Sequence, residues 1–260
     1  MKKFVALLLA VLMVASLCAC GQKGTGSDLQ TVTKGKLIMS TNAEFAPYEY
    51  VADDGKGFQG TGYEGIDIEI AYALAQKLGL ELVVDNMDFD AALSAVQTGK
   101  SDMVAAGVTV TPDRLNAMSF TDSYANGVQV VIVKEGSDIK SIDDLAGKKI
   151  GTQRGTTGFL YCSDDFGDDN VIGFDDGATA VQNLKAGKID CVVIDNIPAQ
   201  EYVKANPGLT ILDTEYANED YAIGVAKDNT ALQEALNKAL AELKADGTIQ
   251  SIIDKYISAK

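Results

Sequence analysis

Ile66, Ile70, Ala73, Leu74 and Leu78 recur at helical spacing, and Gly79 follows the last of them. That pattern predicts an amphipathic helix stopped by a glycine. Further helices are predicted over 91–98, 178–186, 197–205, 231–245 and 248–257, each with its apolar residues on one side. Short apolar runs at 36–40, 81–84, 103–108, 128–133, 149–151, 191–195 and from Val171 read as strands. Ser141 and Asp144 have the spacing of a capping box for a short helix. Residues 41–50, with Pro47 inside, read as a loop, and 53–65 hold five glycines and read as a hairpin or loop. Strands alternating with helices predict an α/β chain built on mostly parallel sheets.

One pattern occurs twice. Ala95-Val96-Gln97-Thr98-Gly99-Lys100-Ser101-Asp102 is followed by the apolar run 103–106, and Asn183-Leu184-Lys185-Ala186-Gly187-Lys188-Ile189-Asp190 by 191–194. Each copy predicts a helix, a glycine that reverses the chain, and a buried strand. Two such units far apart predict two α/β lobes of similar build. Gly107 and Asp195 stand just past the two apolar runs. Ligands of open α/β sheets sit beyond the carboxyl ends of strands, so both positions are candidates for a site.

The N-terminus has its own pattern. Lys2 and Lys3 precede an apolar stretch from Phe4 to Leu17, which is shorter than the ~20 residues that span a bilayer. It reads as a signal peptide over 1–19. Leu17-Cys18-Ala19-Cys20 resembles a bacterial lipoprotein signal, with Cys20 the lipidated first residue of the mature chain. Residues 20–34 are rich in Gly, Ser, Thr and Lys and read as a flexible tether. Removing 1–19 from 260 residues leaves 241, and losing two lysines takes the formal charge from −15 to −17. Such acidity argues against nucleic acid as a partner. The expected location is the outer face of the cell membrane, held by lipid.

The chain has no histidine. Zinc sites, Ser-His-Asp triads and Cys-His dyads are therefore excluded. No metal and no cofactor is expected. Cys162 and Cys191 are expected to stay unpaired, Cys191 as a small apolar residue in a core strand.

Gly65-Ile66-Asp67-Ile68-Glu69-Ile70, continued by Ala71, Leu74, Ala75 and Leu78, resembles a motif of the bacterial extracellular solute-binding proteins, family 3, which serve polar amino-acid ABC transporters. Four other segments follow in the family's order. They are 40–49 after the first strand, 106–114 with Pro112-Asp113-Arg114, 120–124, and Gly155-Thr156-Thr157-Gly158. The resemblance runs from about residue 35 to the end. It implies two α/β lobes, 35–125 plus 219–260 and 126–218, that close on a ligand in the cleft. It also implies a monomeric receptor that hands a free amino acid to a membrane permease.

The resemblance assigns roles. Arg114, one of two arginines in the chain, would hold the ligand α-carboxylate, since a guanidinium matches a carboxylate with two parallel bonds. Thr157, at a helix start, would assist. Asp195, with Thr109 and the Gly107 carbonyl, would take the ammonium. Phe45 and Phe89 would sandwich the side chain. Asn42 stands where relatives that bind lysine, arginine, histidine or glutamine often carry Asp, and Ala106 where they often carry Ser. Glu44, beside Phe45, is the expected attraction for a cationic side chain, with cationic or uncharged polar amino acids favoured. Two rivals share the fold, an amino-acid sensor and a dehydratase of the cyclohexadienyl type. An enzyme would need a carboxylate tuned as general acid, and no neighbour of Glu44 in the sequence suggests one.

Overall fold

The computed structural model describes residues 29–257, so Cys20 and the signal lie outside the described residues. Helix Ile66–Leu78 forms as its pattern demands, and Gly79 closes it in the left-handed conformation at φ 68°. Asp67 and Glu69 sit in its first turn and Lys77 in its last, each on the side the helix dipole favours. Ser141 and Asp144 do form the capping box, over the short helix Ile142–Leu145.

Two large sheets carry the chain, with a small antiparallel sheet of Glu44–Phe45, Glu49–Val51 and Tyr63–Glu64 beside them, the first two strands forming a hairpin. The first large sheet runs in the order Glu81–Asn86, Lys36–Thr41, Met103–Val104, Gly224–Ala226, Met118–Phe120. The second runs Val171–Phe174, Ile150–Gln153, Cys191–Asp195, Ala125–Lys134, Leu209–Ile211, and Ala217–Tyr221 also pairs with Ala125–Lys134. The two-lobed α/β architecture is thus present. The sheets, however, are mixed rather than mostly parallel. Parallel pairing holds where a helix links the strands, as between Lys36–Thr41 and both Glu81–Asn86 and Met103–Val104. Antiparallel pairing appears with the strands next to the crossings between lobes, Ala125–Lys134 and Gly224–Ala226. The chain leaves the first sheet after Phe120 and returns between Tyr221 and Gly224, so 219–221 pair in the second sheet rather than the first.

The repeated pattern has a structural reason. Asp102 in the first copy accepts hydrogen bonds from the backbone N–H of Val32 and Ile38, both at 2.7 Å. Asp190 in the second accepts one from Lys149 at 2.8 Å. In each copy the aspartate backbone N–H bonds back to the carbonyl of that same residue, Ile38 or Lys149. Each Asp therefore fixes the entry of the adjacent strand, and Gly99 and Gly187 reverse the chain before it at φ 70° and 71°. The copies differ beyond that point. Cys191–Asp195 stays in its sheet for five residues, whereas the first strand leaves its sheet after Val104. The turn away is made at Gly107, whose φ is 54°.

The core of the first lobe packs helices Ile66–Leu78, Thr230–Ala245 and Thr248–Tyr256 on one face of the sheet through Ile68, Leu74, Leu236 and Ile252. The second lobe has a cluster on each face of its sheet. Cys162 and Cys191 are free and buried in one of these. Burial pushes both thiols well above their ordinary value, so they are inert. No helix of the described residues is long and apolar enough to cross a membrane.

Candidate functional site

A cleft lies between the lobes, lined by residues of both. Its lining brings together Asn42, Phe45, Phe89, Ala106, Gly107, Thr109, Arg114, Thr157 and Asp195. Gly107 and Asp195 both face it, as the repeat suggests.

Arg114 is fixed by local sequence. Thr111 caps the helix Pro112–Ala117, and its hydroxyl accepts the Arg114 N–H at 3.2 Å. Arg114 is 8% exposed. Its guanidinium donates to the carbonyl of Thr109 at 2.8 Å and, across the cleft, to that of Gly155 at 3.1 Å, and it lies 5.5 Å from the Phe89 ring centre. Among the described residues no carboxylate reaches it within ion-pair distance. Burial pulls its pKa down, opposed by Glu219. A buried cation in this position is costly without an anion, and three of its five donors are left for one. Thr157 adds polar groups from the other lobe. It opens the helix Thr157–Phe166, and its hydroxyl lies 3.5 Å from that of Thr109.

Asp195 is the opposite pole. It ends the strand Cys191–Asp195 and precedes helix Asn196–Ala205, yet its side chain makes no capping bond. It instead accepts from Gln129 Nε2 at 2.8 Å and from the Tyr221 hydroxyl. Burial, then Glu219, push its pKa well above the usual carboxylate range. The same Gln129 nitrogen donates to Glu219 at 2.9 Å. Gly127 makes room for this cluster, since a Cβ there would lie 2.3 Å from the Tyr221 oxygen and 2.6 Å from Asp195 Oδ1. Gly127→Ala is therefore expected to displace Asp195 and weaken ligand binding about tenfold or more, the cost of a disrupted buried polar group, read by calorimetry.

The floor of the cleft is acidic too. Asp67 accepts from the Gly107 N–H at 2.9 Å and from the Tyr124 hydroxyl at 2.7 Å. Burial pushes its pKa up to about 6 in spite of those bonds. Burial and Asp67 together push the Glu49 carboxyl well above the ordinary range. Overhead, Gln153 donates to Asn42 at 2.9 Å, a hydrogen bond from lobe to lobe.

Known proteins are similar to this chain over most of its length. The family model for bacterial extracellular solute-binding proteins, family 3, matches residues 37–259. The chain belongs to that family. It is 33% identical over 270 residues to the arginine-binding extracellular protein ArtP of Bacillus subtilis (strain 168), with all of both chains covered. It is 34% identical to ABC transporter arginine-binding protein 1 of Escherichia coli (strain K12), over 85% of this chain and 90% of that one. A solved ancestral arginine-binding protein bound to glutamine matches with TM-score 0.80 and 40% identity, over 87% of this chain and 100% of that one. The arginine-, lysine-, histidine-binding protein ArtJ from Geobacillus stearothermophilus matches with TM-score 0.80 and 31% identity, over 86% and 96%.

In this family-3 solute-binding protein one expected site residue lies elsewhere. Glu44 is exposed and lines an outer groove with Asp176, Glu201 and Tyr202, not the cleft. Glu44 and Phe45 are the two residues of one short strand, so their side chains take opposite faces. Phe45 faces the ligand space and Glu44 faces water. Gln129, Gln153, Glu49 and Thr156 also line the cleft; Glu49 and Thr156 fall within the motif segments 40–49 and 155–158 without a role assigned there, and Gln129 and Gln153 lie outside those segments. A signal for Gln129 exists, since a lone amide interrupts the apolar run 128–133. Tyr221, Ala222 and Ile223 are fully buried, but no apolar alternation marks the strand of Glu219.

Proposed function

We propose that this protein is a lipid-anchored receptor that captures a free polar amino acid, arginine first, and passes it to an ABC transporter permease. The observation that carries the reading is the pairing, in one closed cleft, of a buried guanidinium lacking an anion and a buried carboxyl lacking a cation. An α-amino acid supplies both. Arg114 and the start of helix Thr157–Phe166 hold the carboxylate; Asp195, Thr109 and the Gly107 carbonyl hold the ammonium. Phe45 and Phe89 flank the side chain. Both lobes contribute, so the ligand binds the closed form better and shifts the population towards it. The relatives named as arginine-binding proteins of ABC transporters support the ligand class and the permease. The role needs no catalysis, and the site reads as a binding site rather than an active site.

Selectivity for charge comes from the cleft, not from Glu44. Buried acidic groups in and beneath the cleft, Glu49, Asp67, Asp195 and Glu219, outnumber its one buried guanidinium among the described residues, and the ligand ammonium satisfies Asp195 alone. That excess disfavours a ligand with an acidic side chain, and juxtaposed like charges cost several kcal/mol. In a thermal-shift series, arginine, lysine and glutamine are expected to stabilise the protein, by about 2.7 kcal/mol at a hundredfold excess over Kd. Aspartate and glutamate are expected to do least. Stabilisation by glutamate equal to that by arginine contradicts this selectivity.

The anchor is tested separately. A Cys20→Ser protein is expected to appear in the soluble fraction, because acylation and not a helix holds the chain. Retention in salt-washed membranes contradicts the anchor and leaves the cleft untouched.

A further inference from the structure

The Gln129 amide has an unusual position. It donates from one nitrogen to two buried carboxylates, Asp195 at 2.8 Å and Glu219 at 2.9 Å. The sheet imposes this. Asp195 is the direct partner of Gln129 on one side, and Glu219 lies on the neighbouring strand two residues past its partner Ala217. Alternation puts all three side chains on one face. Asp195 is 8% and Glu219 6% exposed, and Glu219 Oε1 has no hydrogen-bond partner. Among the described residues neither carboxyl has a cation within ion-pair distance. A single ligand ammonium neutralises one of these two groups and leaves the other.

We propose that Glu219 is a positioning residue for ammonium capture: held beside Asp195 on the shared Gln129 amide, it keeps a proton on Asp195 in the ligand-free protein, and the bound ammonium replaces that proton. This rests on the proposed function of the cleft. With Glu219 beside it on the same amide in a buried site, the ionised form of Asp195 is disfavoured, because like charges at close range oppose ionisation. The direction of the Asp195 shift, upward through burial and Glu219, agrees. Other titrating neighbours add to the acid side. Glu49 and Tyr48 feel the Asp195 charge from the hairpin, and burial with Glu219 lifts the Tyr161 phenol to about 12. Tyr221 donates to Asp195, while Arg114 is the opposing cation. On binding, the carboxyl O–H breaks, its proton passes to buffer, and the oxygen turns to the ammonium. Glu219 thereby stands ready to keep the ammonium pole electrically balanced without touching the ligand.

A carboxyl with a raised pKa in the free protein and a lowered one in the complex gives affinity that is full at high pH and is lost as pH falls through the free-state value. The test is titration calorimetry of the purified protein with L-arginine in buffers of different ionisation enthalpy, repeated from about pH 5 to about pH 9. Wild type is expected to release up to one proton per ligand and to lose affinity about tenfold per pH unit on the acid side. Glu219→Gln keeps an acceptor for Gln129 and removes the charge. It is expected to cut proton release and move the acid limb to lower pH. Binding heats that do not depend on buffer in wild type overturn the inference, whatever the variant does, and so does an unchanged acid limb in Glu219→Gln. Binding without proton release leaves the proposed function standing. No binding by L-arginine, L-lysine or L-glutamine overturns both.

Discussion

Replacing Arg114 with alanine is expected to weaken amino-acid binding by roughly thirtyfold to several thousandfold while the protein still folds cooperatively. The guanidinium is buried and has no carboxylate within ion-pair distance among the described residues, so its chief partner is the ligand. Removing it strands a carboxylate in the cleft, a loss of ~2–5 kcal/mol. It also removes the bond to the Gly155 carbonyl that ties the lobes. Arg114→Lys keeps a charge but cannot supply two parallel donors, and a loss of about tenfold is expected even there. Titration calorimetry with a thermal melt of the same sample separates the site from the fold. Affinity close to wild type in Arg114→Ala would remove this residue from the site.

Asp195→Asn is expected to cause a loss of similar size, at the other pole. Asparagine keeps the shape and can still accept from Tyr221, but offers no charge to the ammonium. Fold stability should move the other way. Burial and Glu219 raise the Asp195 pKa, so the ionised form costs the folded state stability at pH above that raised value. The neutral variant lacks that cost, and its melting temperature at about pH 8 should equal or exceed that of wild type. A variant that binds poorly because it has unfolded would contradict the assignment of Asp195 to the ligand.

Much of this site is legible in the amino-acid sequence. The repeat marks Gly107 and Asp195, because a strand leaving a helix-glycine unit delivers its last residue to the cleft end of a sheet. Arg114 stands out through Pro112-Asp113-Arg114 and through the scarcity of arginine. Glu44 misleads for a physical reason. Adjacency in sequence means opposite faces once a segment is extended, and residues 44–51 form a paired hairpin where Pro47 suggests a loop. The sheets are less parallel than the alternation of elements predicts, because the strands next to the crossings between lobes, Ala125–Lys134 and Gly224–Ala226, pair antiparallel with their neighbours. Ala217–Tyr221, with Asn218, Glu219 and Asp220 at its centre, is fixed by pairing with Ala125–Lys134 and by burial of Tyr221, and neither shows in its own sequence. Glu219 is hidden for the same reason.

The central claim is that the cleft recognises the charges on the α-carbon. Its most direct test is calorimetric titration with the amino acid that stabilises the protein most, beside the same molecule lacking its α-carboxylate and the same molecule with its α-ammonium acetylated. The account predicts tight binding of the intact amino acid and a loss of at least about thirtyfold for each altered form, since each leaves a buried charge unpaired. Equal affinity for all three would show that the cleft does not read the α-carbon at all.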